Sequence, residues 1–168
     1  GTDGTFTAAE VRAAFKPDDP YQAPTRVVAI ENTHNMAGGI VWDRAQLAEV
    51  VAETHRLGMR VHLDGARLWN AATKTGLSER ELAAPFDTVS VCFSKGLGAP
   101  VGSAFVSTRA NVERARRFRK MWGGGMRQTG ILAAGALYAL EHNRARLRED
   151  HENARRFAEL VGKASGLR

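Results

Sequence analysis

Four short apolar runs, at 27–30, 59–63, 88–93 and 102–107, recur along this chain, and most of the sequence between and around them has helical spacing. No other feature constrains the fold as strongly. Runs this short and this apolar read as buried strands. Strands alternating with helices imply an α/β fold with a largely parallel sheet and both faces covered. Between the first two runs, Asp43 can cap a helix, with Gln46 three residues on. Leu47, Val50, Val51, Thr54 and Leu57 then share one helical face, and Gly58 stands where such helices end.

Before the first run, Asp3-Gly4 reads as a turn. A helix is expected over 7–15, with Thr7 and Glu10 placed as a capping box. Pro17, Pro20 and Pro24 then forbid regular structure. After the fourth run the chain is expected to be mostly helical. One helix spans 111–121 and is broken by Gly123-Gly124-Gly125. A second, over 129–142, is rich in small residues (Ala133, Ala134, Gly135, Ala136, Ala139) that permit close approach to a neighbour. A polar helix runs from about 144 to 161.

Composition narrows the function classes. The 168 residues, 43% of them hydrophobic, suffice for one buried core. No apolar stretch is long enough to span a bilayer. The polar start Gly1-Thr2-Asp3-Gly4 is no secretory signal, and a first residue other than Met suggests a piece of something longer. Cys92 is the only cysteine, which excludes an intrachain disulfide and fits a reducing cytoplasm. The net charge of +6 sits mainly at 109–120 and 144–156. Acids and apolar residues interleave there at helical spacing, so solvated helix faces are a better reading than a nucleic-acid surface.

In α/β sheets ligands bind at the carboxyl ends of strands. Two polar clusters fall there: His62-Leu63-Asp64-Gly65-Ala66-Arg67 and Ser94-Lys95-Gly96-Leu97-Gly98-Ala99-Pro100. A lysine after a strand, with glycines that let the backbone turn, can become a neutral amine that attacks an aldehyde. An exposed lysine on a turn is the competing reading of Lys95. A carboxylate such as Asp64 could keep a pyridine nitrogen protonated, and Arg67 could hold an anionic oxygen. An ordinary Asp64–Arg67 ion pair is the alternative. His34, after the first run, could reach the same edge or simply make a local hydrogen bond. Gly96-Leu97-Gly98 lies between two strands and is no dinucleotide fingerprint. Gly123-Gly124-Gly125, flanked by Lys120 and Arg127, precedes a helix start and could attract an anion. His62 and Asp64 share a strand face without a third metal ligand, so no metal is expected.

Four motifs occur in register: Glu31-Asn32-Thr33-His34-Asn35, the Asp64 cluster, the Lys95 cluster continued by Val101-Gly102, and Arg119-Lys120-Met121-Trp122-Gly123-Gly124-Gly125-Met126-Arg127-Gln128. Together they resemble the low-specificity L-threonine aldolases, enzymes of the pyridoxal-phosphate fold type I group. The resemblance implies the central part of an aspartate aminotransferase-like large domain, a mainly parallel sheet flanked by helices. On it, 1–168 is a partial cofactor-binding domain whose last helix, from about 144, leads toward a small domain outside the chain. It implies aldol cleavage of L-threonine and L-allo-threonine to glycine and an aldehyde. A related β-eliminating lyase or an aminotransferase would use the same residues; a non-enzymatic basic binding module is more distant.

By the same resemblance, Lys95 matches the lysine that bonds the cofactor, pyridoxal 5'-phosphate. Asp64 matches the partner of its ring nitrogen, and Arg67 the arginine near its phenolic oxygen. Lys120 and Arg127 match basic residues near the active site, in a region that packs across a subunit interface; with Tyr21 and His34 they are expected on the substrate or subunit-interface side of the site. Tyr21 stands where family members often carry histidine. The phosphate loop and the arginine for the substrate carboxylate are expected outside this stretch. Implied partners are an amino acid substrate and further copies of the chain, in a dimer-based tetramer; neither nucleic acid nor membrane is implied.

Overall fold

A computed structural model describes residues 3–163. The four runs form one sheet in the order β1 (Val27–Glu31), β2 (Arg60–Gly65), β3 (Thr88–Cys92), β4 (Ser103–Val106). β1, β2 and β3 are parallel, whereas β4 runs antiparallel to β3. Parallel neighbours need a crossover. The first is α2 (Arg44–Arg56); the second is a pair, α3 (Leu68–Thr75) and α4 (Glu79–Ala83). An antiparallel neighbour needs only a loop, and the Lys95 cluster is that loop. The carboxyl ends of β1, β2 and β3 therefore share one edge, with Glu31 beside Asp64 and Asp64 beside Ser90.

Side chains alternate across the sheet. Val61 and Leu63 of β2 are fully buried on one face, while Arg60, His62 and Asp64 occupy the other. α1 (Ala8–Ala14) and α2 cover the β1–β2 half of the buried face through Val11, Ile30, Leu47, Val50 and Val61. α3 and α4 cover the β2–β3 half through Leu63, Leu68, Val89 and Val91. Each such side chain contributes roughly 1.5–3 kcal/mol on burial. The caps stand where the sequence puts them: Thr7 and Glu10 form the capping box of α1, and Asp43 accepts the Gln46 N–H at 2.9 Å.

Coverage of both faces is not what the described residues show. On the second face Val27 is 52% and Phe105 40% exposed, and Ala29 is also exposed. α5 (Arg109–Met121) approaches it, forming a groove with Val27, Thr88, Phe105, Arg114 and Phe118. α5 has no buried residue, in keeping with a solvated basic helix.

The helix expected over 129–142 is interrupted. α6 (Gly130–Tyr138) passes into a π-helical turn (Ala139–Asn143) and a 3-10 turn (Arg144–Arg146) before α7 (Leu147–Val161). The change of winding lets Ala139 and Leu147 both pack on Leu97 and Ala99 of the Lys95 loop. The small residues of α6 serve close approach as expected: a Cβ on Gly135 would lie 3.1 Å from Pro100. Among the described residues no helix is long and apolar enough to cross a membrane.

Candidate functional site at the carboxyl edge

The backbone beyond β1 is tied to β2 before any side chain is considered. Asn32 donates its N–H to the Asp64 carbonyl at 3.1 Å, extending the ladder past the strand. The Trp42 indole N–H donates to the Glu31 carbonyl at 3.1 Å, and Phe6 packs edge-on against that indole. His34 sits in this frame. Its Nδ1 accepts the Ala37 N–H at 3.2 Å, so in the neutral ring Nε2 carries the proton. Gly4, at φ +81°, closes over it: a Cβ there would lie 2.5 Å from Ala37 Cβ and 2.9 Å from His34 Nδ1. The Asp3-Gly4 turn thus helps to fix His34.

Gly4, Glu31, His34, Trp42 and Asp64 line one cleft. Asp64 is partly buried, and its Oδ1 accepts the Ala66 N–H at 3.0 Å. Its Oδ2 has no partner among the described residues. The Asp64–Arg67 pair, the simpler reading of that motif, is not formed. Arg67 reaches across to β1 instead, with Nη1 3.7 Å from Glu31 Oε1. Glu31 also lies 3.8 Å from His34 Nε2. Glu31 thus stands between Arg67 and His34, a role that its motif alone does not assign; an acid ending an apolar strand is the signal for it.

Lys95 stands one loop along the same edge. Phe93 donates to the Gly102 carbonyl at 2.9 Å and Ala99 to Phe93 at 3.0 Å, closing the loop at its base. Gly98 donates to the Lys95 carbonyl at 2.8 Å, making a tight turn, and Gly98 adopts φ +73°. Leu97 plugs the turn into the core with no exposed surface. The Trp69 indole N–H donates to the Cys92 carbonyl at 3.0 Å, fixing the strand end. The Lys95 side chain is exposed, with no hydrogen bond or ion pair among the described residues. Backbone hydrogen bonds and the buried Leu97 thus hold the loop.

The other three residues singled out are not brought to this edge. Tyr21 is 95% exposed on a turn tied by Asp18 to Arg26, just before the amino end of β1. Lys120, near the end of α5, and Arg127, in the glycine-rich segment, are both exposed, and neither lines the cleft of Asp64. Among the described residues no three His, Cys, Asp or Glu side chains are grouped to hold a metal.

The strongly perturbed carboxylates lie elsewhere. Burial pushes the Asp87 carboxyl up, but the Val61 N–H, His55 and Arg60 outweigh it and hold it at about 2. Glu53 is held at about 2 by Arg56 and Arg12. Asp87 precedes β3, and its bond to the Val61 N–H at 2.8 Å ties the amino edge, opposite Asp64. These are structural ion pairs, which perturb a pKa as readily as catalysis requires.

The donor set at the carboxyl edge fits pyridoxal phosphate. Asp64 Oδ2 is open to a ring N–H, the Lys95 amine is unpaired, and Arg67 is held only loosely by Glu31. Gly65 keeps the backbones close beneath: a Cβ there would meet the Ser90 carbonyl at 2.9 Å.

The beta-eliminating lyase family pattern matches residues 1–167. The low specificity L-threonine aldolase of Escherichia coli (strain K12) is 46% identical over 162 residues, 96% of this chain and 48% of that protein. Low-specificity L-threonine aldolase 1 of Arabidopsis thaliana is 41% identical over 99% of this chain and 47% of its own length. Among solved structures, a Listeria monocytogenes protein whose name places it with the L-allo-threonine aldolases superposes with a TM-score of 0.86 at 27% identity. That match covers 98% of this chain and 44% of the other. The chain spans about half the length of the curated relatives it matches.

Proposed function

We propose, from the premise that this chain belongs to the beta-eliminating lyase family, that it is part of a pyridoxal-phosphate enzyme cleaving L-threonine and L-allo-threonine to glycine and an aldehyde. One observation carries the reading: a carboxylate with a free oxygen at the carboxyl end of one parallel strand, and an unpaired lysine amine in the loop that follows its neighbour, stand on one sheet edge. The relatives named above supply the substrate class.

Bound pyridoxal phosphate supplies an electron sink for the pair released when the substrate's Cα–Cβ bond breaks. Lys95 would hold the cofactor through its amine, whose starting point the tight turn at Gly98 fixes. Asp64 would accept from the ring nitrogen and favour its protonated form. Arg67 would hold the phenolic oxygen, with Glu31 beside its guanidinium on this edge. His34 presents an N–H, because its Nδ1 is already an acceptor for Ala37. On this tautomer it would act toward the substrate as an orienting donor.

A second copy of the chain completes the site. Trp122 is 81% and Ile131 89% exposed, and Met121 and Met126 beside them are also exposed. A neighbour covering this ridge would bury it and receive Lys120 and Arg127. Such pairs, assembled twice, give the tetramer, and a reducing cytoplasm is the setting that Cys92, unpaired, supports.

Borohydride reduction of the full-length protein with pyridoxal phosphate tests the assignment. The expected result is one reduced adduct, on Lys95, lost in Lys95→Ala, with glycine and acetaldehyde as products from L-threonine. Adducts scattered over surface lysines would sink the site. Pyruvate with ammonia, or a transferred amino group, would move the same residues to β-elimination or transamination.

A further inference from the structure

The loop bearing Lys95 is gripped by a segment nearly fifty residues further on. Asn143 donates its side-chain N–H to the Leu97 carbonyl at 2.7 Å. It does so from the last position of the π-helical turn, where the winding between α6 and α7 changes. Irregular turns of this kind interrupt helices at places that serve a function. Leu147, one turn on, and Ala139, before it, are buried against Leu97 and Ala99. Gly96, next to Lys95, has no room for a side chain: a Cβ would lie 2.9 Å from both Asn70 Oδ1 and Leu147 Cδ2. Asn70 is in turn bonded to His151 of α7 at 3.1 Å. Leu97 is two residues from Lys95 and forms the same turn, whose Gly98 N–H donates to the Lys95 carbonyl. A shift of the Leu97 peptide therefore moves the Lys95 backbone directly.

We propose that Asn143 is a positioning residue for Lys95: its hydrogen bond to the Leu97 carbonyl sets the direction from which the amine leaves the sheet edge. The role rests on the proposed function of Lys95. Packing by Leu97 and Leu147 fixes how deep the turn sits. A directional donor fixes its rotation, which apolar contacts alone do not.

The test uses the full-length protein with Asn143→Ala and with Asn143→Asp, which keeps the volume and loses the donor. In the cofactor-free protein, trace acetic anhydride labels lysines competitively across pH, read by mass spectrometry. Lys95 labelling relative to Lys74 is expected to change several-fold in both variants, with Lys74 itself unaltered. With pyridoxal phosphate bound, the pH midpoint of the Lys95-dependent absorbance change is expected to shift. Turnover should fall about tenfold or more with KM little changed, the mark of a misplaced reacting group. Asn143→Gln, which retains the donor, should restore part of each. Unchanged Lys95 labelling and an unchanged midpoint in the folded variants, whatever their Tm, overturn the assignment. If Asn143→Asp does not fold, Asn143→Ala gives the same readouts. A missing Lys95 adduct in the unsubstituted protein overturns the functional reading, and this assignment with it. A normal adduct there with unaltered variants overturns only the role of Asn143.

Discussion

Two carboxylates show how placement decides what an acid does. Asp64 keeps one oxygen unpaired at the carboxyl edge, whereas Asp87 spends both oxygens tying the amino edge. Asp64→Asn removes the charge that would hold a ring nitrogen protonated. Turnover in the full-length protein should drop about a hundredfold or more, while the reduced adduct at Lys95 still forms. An active Asp64→Asn protein would refute the assigned role. Asp87 should act on stability instead. Its carboxyl lies at about 2, below its ordinary 3.8. Its stabilisation is therefore complete above about pH 4 and is lost as pH falls through 2. The amount is on the order of 2 kcal/mol. Urea midpoints across that range should fall for the parent protein and stay flatter in Asp87→Asn. Parallel curves would show that the pairs contribute nothing. Of the seven residues singled out from sequence, Lys95, Asp64, Arg67 and His34 fall on one edge, because each ends or follows a parallel strand. Lys120, Arg127 and Tyr21 do not, and no pattern within one chain could say which surface a loop faces.

At the scale of elements, the strands and the caps were legible because they depend on local chemistry. Alternation or continuity of apolar residues marks a strand, and Thr7 with Glu10 marks a helix start. Pairing direction was not legible. β4 reads like the other strands, yet the short loop before it turns the chain back. The break between α6 and α7 was equally hidden, since nothing in Ala139-Leu140-Glu141-His142-Asn143 forbids a regular helix. The π-helical turn is where Ala139 packs against Leu97, a contact between distant residues. Close approach of β2 and β3 yields a sharp expectation. Gly65→Ala would put a Cβ 2.9 Å from the Ser90 carbonyl and 3.2 Å from Leu68 Cβ. Backbone cannot yield cheaply, so a destabilisation of about 1–3 kcal/mol is expected in denaturant titrations. A neutral result would mean that the two strands slide apart freely.

On the scale of the whole molecule, apolar surface is left where a neighbour would be required. Met121, Trp122, Met126 and Ile131 are exposed, and so are Val27 and Phe105 on the second sheet face. Large apolar side chains left exposed together are the kind of surface that partners cover. Replacing Trp122 by Glu together with Ile131 by Asp should shift the full-length protein to smaller species in sedimentation velocity. On the proposed assembly, in which Lys120 and Arg127 serve a neighbouring copy, turnover should fall together with the loss of larger species. An unchanged sedimentation profile would place the interface elsewhere.

The sequence by itself determined the α/β class, the strand ends that carry Asp64 and Lys95, and the family whose motifs they form, since these follow from local spacing and residue chemistry. Tertiary structure alone decided that Arg67 faces Glu31 rather than Asp64, that His34 is fixed as a donor, and that Asn143 grips the Lys95 turn. Those contacts join residues brought together by the sheet register and by helix packing, and neither quantity is written in any short stretch of the chain.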